Sequence, residues 1–270
     1  MSKVKDKSIE LEILIATMNR TSLDFLSAMF SRLNYLDYNV LVVNQTTEGK
    51  LLKSEHSNIR VINSFEKGLS KSRNLAIKNA KKSICLLSDD DIVFKEGFEE
   101  SILNTYKEND FPIITFQTIT TQDKLYWAYP AQPQEHTDFL TRKTLSVEIT
   151  FNKNLIKGLA FDEQFGLGAK FEDGENYIFL LEAKKKELQI WFENKIISIH
   201  EPFSSSDELE SDRLTYAKSA IHFYKYGNLA YFWVFKFVFF LFRKKYISFR
   251  DIRRKIEIGF KGIQDYKNNN

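Results

Sequence analysis

Ile84-Cys85-Leu86-Leu87-Ser88-Asp89-Asp90-Asp91-Ile92-Val93-Phe94 is the stretch on which the reading of this chain turns. An apolar run of strand length drives into three consecutive carboxylates, and apolar residues then resume. Three adjacent like charges repel, so a fold gains nothing by collecting them at a strand end. A hard divalent cation reverses that penalty, because it takes carboxylate oxygens and keeps coordination positions open for phosphate. The stretch therefore points to a metal–diphosphate site. Asp89 and Asp91 stand two apart, so in an extended strand they face one side and Asp90 the other.

Upstream, residues 11–17 (Leu-Glu-Ile-Leu-Ile-Ala-Thr) read as a buried strand, followed by the polar loop Thr17-Met18-Asn19-Arg20-Thr21-Ser22. Leu23, Leu26, Met29, Phe30 and Leu33 recur at helical spacing, which predicts a helix to about residue 36. Residues 38–43 are a second strand ending in Asn44-Gln45-Thr46, 58–62 a third, 68–80 a turn opening a helix, and 83–87 the fourth strand. Strands alternating with helices in this way build βαβ units and a mainly parallel sheet. Ligands of such sheets lie outside the carboxyl ends of the strands. The tips at 17–20, 44–46 and 89–91 are therefore expected on one rim.

Downstream, the pattern predicts a helix over 96–109, a strand over 112–119 and an irregular aromatic loop over 125–134. A strand follows over 146–152, then a corner at 165–168. The acidic turn Glu172-Asp173-Gly174-Glu175-Asn176 opens a helix containing Phe179, Leu180 and Ala183, and a last strand over 190–199 ends in His200. Trp127, Tyr129 and Trp191 are either core aromatics or stacking platforms for a sugar ring. No internal repeat or low-complexity linker is present.

Composition sets the outer limits. With 270 residues, 43% hydrophobic and 28% charged, the chain is of ordinary globular type. A net charge of +3 gives no general nucleic-acid binder, and no nucleic-acid partner is expected. The lone Cys85 lies in an apolar strand and reads as a small buried hydrophobe. Residues 1–10 are charged and lack the apolar core of a signal peptide, so the expected location is cytoplasmic.

In this order the residues resemble a family-2 glycosyltransferase with the GT-A fold, over roughly residues 10–202. The likeness rests on strand-Thr17-x-Asn19-Arg20, then Gly68-Leu69-Ser70-x-x-Arg73-Asn74 opening a helix. After these come a strand ending in Asp89-Asp90-Asp91, an acidic pair before a helix, and a strand ending in His200. The resemblance implies a mostly parallel α/β sheet flanked by helices. It implies an inverting transfer from a nucleotide-diphosphate sugar to a glycan or lipid-linked acceptor, of the bacterial surface-polysaccharide type. Asp91, with His200, would bind Mn²⁺ or Mg²⁺; Asp89 would contact the ribose or sugar; Thr17, Asn19, Arg20, Asn44, Arg73 and Asn74 would line the donor pocket. Asn44 stands where the family often has an acid, which leaves the nucleobase open. The base that takes the acceptor proton is Asp173 in one register and Glu175 in the other, where Asn176 replaces the second acid. A nucleotidyltransferase would carry a glycine-rich loop after the first strand, and residues 17–22 have no glycine. A catalytically weak or dead nucleotide-sugar-binding scaffold is the other rival reading, raised by Asn44, Gln45 and Asn176.

The C-terminal part reads separately. A division into a catalytic domain over 10–205 and a helical, aromatic and basic extension over 206–270 is expected. Residues 229–242 (Leu-Ala-Tyr-Phe-Trp-Val-Phe-Lys-Phe-Val-Phe-Phe-Leu-Phe) are followed by Arg243-Lys244-Lys245. The run is shorter than the ~20 apolar residues that span a bilayer. It suits either a helix lying on the anionic inner face of the cell membrane or a helix packed on protein.

Overall fold

Alternation along the strands sets the architecture, which we describe from a computed structural model covering residues 9–202 and 209–269. Strands β1 (Leu11–Met18), β2 (Val40–Gln45), β3 (Ile59–Ser64) and β4 (Ile84–Asp89) are parallel, in the order β3-β2-β1-β4. Beyond β4 the sheet continues through β8 (Ile149–Asn152), β6 (Ile113–Thr120) and β9 (Ile190–His200). The short β5 (Val93–Phe94) and β7 (Gln134–Glu135) pair antiparallel with β9. The long ladders, β3-β2-β1-β4 and β6-β9, are parallel as expected, and the short β8 runs antiparallel to both β4 and β6.

Leu11, Ile13 and Ile15 of β1, with Val40, Val42, Ile84 and Leu86, share one face. They pack against α1 (Asp24–Met29) and against Phe98 and Ile102 of α3 (Phe98–Glu108). Leu14, Leu41, Val43, Cys85 and Leu87 line the other face, covered by Ala76 of α2 (Leu69–Asn79) and by Phe179, Leu180 and Ala183 of α5 (Glu175–Lys185). Burial on both faces is why these strands read as nearly continuous apolar runs. Each fully buried aliphatic side chain contributes about 1.5–3 kcal/mol. The exception in β1 is Glu12, buried but held by Arg60 Nη2 at 2.6 Å and by the backbone N–H of Lys82 at 3.2 Å. The small helix α4 (Asp138–Lys143) is capped by Thr137, whose hydroxyl accepts from Leu140 N.

Two expected elements differ. The helix predicted to residue 36 ends at Met29. The Phe30 ring turns inward against Tyr38 and Phe94, and Asn34 caps a separate 3-10 turn at Tyr35–Asp37 by accepting from Leu36 N. Ser146–Glu148 is likewise a 3-10 turn, and the strand begins only at Ile149.

The chain divides into two compact units, described here one at a time. The first contains the sheet and its helices: residues 9–67, 71–161 and 179–202. The second takes Gly68–Ser70, Asp162–Ile178 and the C-terminal residues from 209 onward, and so gathers more of the chain than a C-terminal extension alone. The expected boundary at 205/206, like most of the N-terminal stretch read for a leader, lies outside the described residues.

Within the second unit, α6 (Asp212–Tyr226), α7 (Ala230–Arg243) and α8 (Ile252–Lys267) pack together. A side chain at Gly262 would bring its Cβ to 2.3 Å from the Tyr216 carbonyl oxygen, so only glycine allows this approach of α8 to α6. The buried Lys255 ties the pair further, its Nζ 2.7 Å from Asp212 Oδ1. Among the described residues no helix is long and apolar enough to cross a membrane.

Candidate active site

Parallel pairing aligns the polar strand ends. Thr17 lies opposite Asn44, Asn44 opposite Asn63, and Ala16 opposite Asp89. The tips of β1, β2 and β4 therefore meet on one rim, as the sequence predicts.

At the rim the three carboxylates separate, because β4 ends at Asp89 and the next two residues form a turn. Each acid meets its own basic partner. Asp89 accepts from Arg73 Nη2 at 2.8 Å on one oxygen and from the Ser146 hydroxyl at 2.7 Å on the other. Arg73 is 2% exposed, with its guanidinium 5.5 Å from the Phe161 ring. Asp90 takes Arg20 through Nε at 2.8 Å and Nη2 at 2.6 Å, and the Thr17 hydroxyl donates to the same carboxylate. Asp90, pointing away from the partners of Asp89, thus anchors the first loop.

Asp91 is the outward member, its side chain 66% exposed, with Oδ1 3.6 Å from His200 Nε2. Pairing of Val93 with Ile199 brings His200, at the end of β9, to this turn. The close approach of the two groups holds the Asp91 carboxyl below its usual range and raises the His200 imidazole above its ordinary value. His200 Nδ1 lies 2.6 Å from the Glu201 carbonyl oxygen, so it carries the proton and donates there. That fixes the ring with Nε2 toward Asp91, the arrangement in which a histidine can offer its second nitrogen to a metal.

The remaining predicted donor residues divide by depth. Asn44 is fully buried. Its carbonyl oxygen accepts from Arg20 N at 3.0 Å, and its amide donates to Arg20 O at 2.9 Å and to Asn63 Oδ1 at 3.0 Å. These bonds shape the loop from its buried side. Asn74 is similarly turned to structure, clasping the Phe161 backbone at both N–H (2.8 Å) and C=O (2.9 Å). Asn19 is exposed at φ 57°, a left-handed conformation that asparagine tolerates. Thr17 and Arg20 hold Asp90, and Arg73 holds Asp89.

The acidic turn belongs to the second unit. Glu172 accepts from Gly168 N at 3.1 Å and its carbonyl from Arg213 Nη1 at 3.0 Å. Asp173 follows, its carboxyl raised above the usual range by burial, against the pull of Lys218. Gly174 at φ 75° turns the chain into α5, which starts at Glu175. A Cβ at Gly174 would meet Ile221 Cδ1 at 2.3 Å.

Of the aromatic candidates, Trp191 stacks on Phe111 at 4.8 Å and Tyr129 on Phe192 at 5.9 Å, both within the fold. Trp127 carries Lys143 Nζ 4.3 Å over its ring. Ser146 is the site residue that sequence reasoning misses. Nothing but its position just before an apolar strand marks it.

A family model described as Glycosyl transferase family 2 matches residues 12–162. None of the curated proteins compared matches the chain. Among solved structures the chain is similar to S. aureus TarS 1-349, at 14% identity and TM-score 0.54, over 97% of this chain and 92% of that one. The same figures hold for S. aureus TarS 1-349 in complex with UDP-GlcNAc. For its complex with UDP the identity is 15% and the TM-score 0.51, over the same shares. At these identities the likeness is one of fold.

Proposed function

The chain belongs to glycosyl transferase family 2 and is a glycosyltransferase, and on that premise we propose that it is an inverting, divalent-cation-dependent enzyme using a nucleoside-diphosphate sugar. The observation that carries this reading is the sorting of the three carboxylates: two are anchored from within, and one is left at the surface beside a histidine nitrogen. The solved TarS complexes with UDP-GlcNAc and UDP support a nucleotide-sugar donor for the same fold.

The metal reading fits the side chains present. Ligand atoms ~2.1 Å from one ion stand ~3.0 Å apart at right angles and ~4.2 Å when opposed. The 3.6 Å between Asp91 Oδ1 and His200 Nε2 lies between these limits. Among the described residues no group of three or more metal-ligating side chains gathers, so Asp91 and His200 are the side chains that would hold the ion. Bound there, Mn²⁺ or Mg²⁺ would offset the charge that develops on the departing nucleoside diphosphate. Asp89 keeps lone pairs beyond those used by Arg73 and Ser146, and presents them to the ribose or sugar hydroxyls. Asn19 and Arg20 border the same rim.

In the chemical step an acceptor hydroxyl oxygen bonds to the anomeric carbon while the bond from that carbon to the phosphate oxygen breaks. The hydroxyl proton passes to a carboxylate. We assign that proton to Asp173, whose raised pKa suits a base, with Glu175 as the alternative.

The acceptor is a glycan or lipid-linked glycan, and the C-terminal helices hold the enzyme at an anionic leaflet. On α7, Ala230, Val234, Val238 and Leu241 are buried. Phe232, Phe235, Phe239 and Phe242 recur every three or four residues on an outward stripe, with Phe232 73% and Phe239 62% exposed. Lys236, Arg243, Lys244, Lys245 and Arg250 accompany the stripe, and no acid occurs from 227 to 250. An aromatic face ringed by cations complements anionic headgroups. In a two-fold dimer the same cations would face one another.

Calorimetric titration of a UDP-, GDP- and dTDP-sugar panel with and without Mn²⁺ tests the donor reading. Mn²⁺-dependent binding lost in Asp91→Ala is expected; no binding, or an unaffected variant, sinks it. Co-sedimentation with phosphatidylglycerol vesicles tests the surface. Binding that falls with salt and in Phe232→Ser/Phe239→Ser is expected, whereas vesicle-independent dimerisation lost in the same variant would place a second copy there.

A further inference from the structure

The 3-10 turn that carries Ser146 is closed by an acid the mechanism does not use. Glu148 is 1% exposed, yet no cation lies within ion-pair distance of it among the described residues. Its Oε2 accepts from Leu145 N at 3.0 Å, folding the side chain back over the turn. Its Oε1 accepts from the Tyr129 hydroxyl, and the Tyr129 oxygen in turn accepts from Thr118 N at 3.3 Å on β6. Tyr129 is fixed from the other side by its stack on Phe192 of β9. Burial pushes the Glu148 carboxyl up to about 8. Placing a carboxyl here costs desolvation that an apolar residue would avoid. What the turn gains is a set position for Ser146, itself 5% exposed, whose hydroxyl lies 2.7 Å from Asp89 Oδ2.

Asp89 needs that second bond. Arg73 grips a single oxygen, which leaves the carboxylate free to rotate about its bond to Cβ. A donor on the other oxygen fixes the plane, and with it the direction of the lone pairs left for a ligand.

We propose that Glu148, clamped by Tyr129, is a positioning residue for donor binding: it holds the 145–148 turn so that the Ser146 hydroxyl orients the Asp89 carboxylate. The inference rests on Asp89 being a donor contact.

The test uses the full chain with Mn²⁺ and UDP-GlcNAc, or whichever sugar nucleotide of the panel binds most tightly, read by calorimetry. Ser146→Ala weakens binding about tenfold, the worth of one hydrogen bond to a charged group. Glu148→Ala does the same, and the double variant is no weaker than Ser146→Ala alone, because Glu148 acts through Ser146. Glu148→Gln restores most of the affinity, since its carbonyl accepts from Leu145 N and its amide donates to the Tyr129 oxygen. Where Glu148→Ala fails to fold, Tyr129→Phe takes its place in the same cycle. Additive losses, or a Ser146→Ala variant that binds normally while Asp89→Asn does not, overturn the proposal. Normal binding by Asp89→Asn overturns instead the reading of Asp89 on which it rests.

Discussion

Asp89-Asp90-Asp91 and Glu172-Asp173-Gly174-Glu175 each gather three carboxylates, and the fold treats the two sets in opposite ways. In the first, every acid meets a basic side chain brought from elsewhere: Arg73, Arg20 or His200. The Asp91 carboxyl there moves down. In the second, Glu172 goes to a backbone N–H and to Arg213, while the half-buried Asp173 moves up. A carboxylate held below its usual range keeps its charge and suits an electrostatic anchor. One held above it binds a proton more readily and suits a base. The two clusters teach that acidity in a sequence says little until the partners are known.

The contrast can be broken most severely at Asp173. Asp173→Asn is expected to lower kcat by about 10²–10⁴-fold, the usual worth of a general base, with donor affinity unchanged in calorimetry. If that loss instead follows Glu175→Gln, the second cluster has been assigned wrongly within itself. The pH profile sharpens the point. Only the ionised carboxyl accepts a proton, so kcat/KM falls as pH drops through the Asp173 pKa. The acid limb should therefore lie above the ordinary 3.8, and vanish in Asp173→Asn.

At the first cluster the expected effects are on stability. Arg73→Met leaves Asp89 without its buried partner and should cost about 3 kcal/mol by urea unfolding. Arg20→Met removes a pair whose arginine is partly exposed and should cost about 1 kcal/mol or less. Equal losses would mean that the cluster is not graded by depth. Gly174→Ala places a Cβ against Ile221 in a left-handed turn, and should cost about 1–2 kcal/mol while lowering kcat through the displaced Asp173.

The smallest effect carries the opposite sign. The folded state raises the Asp173 pKa, so it binds the proton more tightly than the unfolded chain does. The stability this contributes is fully present below the unfolded pKa and is lost as pH rises through the folded one. At pH 7 Asp173→Asn should therefore melt slightly higher than the parent, while at pH 3 that advantage disappears in calorimetric scans.

Much of this was legible in the residues. The parallel strands at 11–17, 38–43 and 83–87 announce themselves because burial on both faces demands unbroken apolar runs. Asp89-Asp90-Asp91 stands out against that background for the same reason. The partners were not legible. Arg20 and Asp90 are 70 positions apart, and no local pattern joins them. Period-two reasoning put Asp91 in a strand with Asp89, whereas the strand stops at Asp89 and the turn decides where the next two point. Asn44 and Asn74 are the residue type that contacts ligands, but amides serve equally well to satisfy buried backbone, and here they do so. Ser146 and Glu148 were hidden because a 3-10 turn beside an edge of apolar residues alternates like a strand.

Cys85 has a practical consequence. It is the sole cysteine of the chain, it is fully buried in β4, and burial drives its thiol far above the usual range. The folded protein should then be silent to thiol-directed dyes, and a cysteine introduced at Phe232 would be the single site that takes a fluorophore or spin label. The native chain thus comes ready for depth measurements on vesicles without first being stripped of its own sulfur. Unmasking of Cys85 by denaturant would report opening of the sheet on a channel separate from the label.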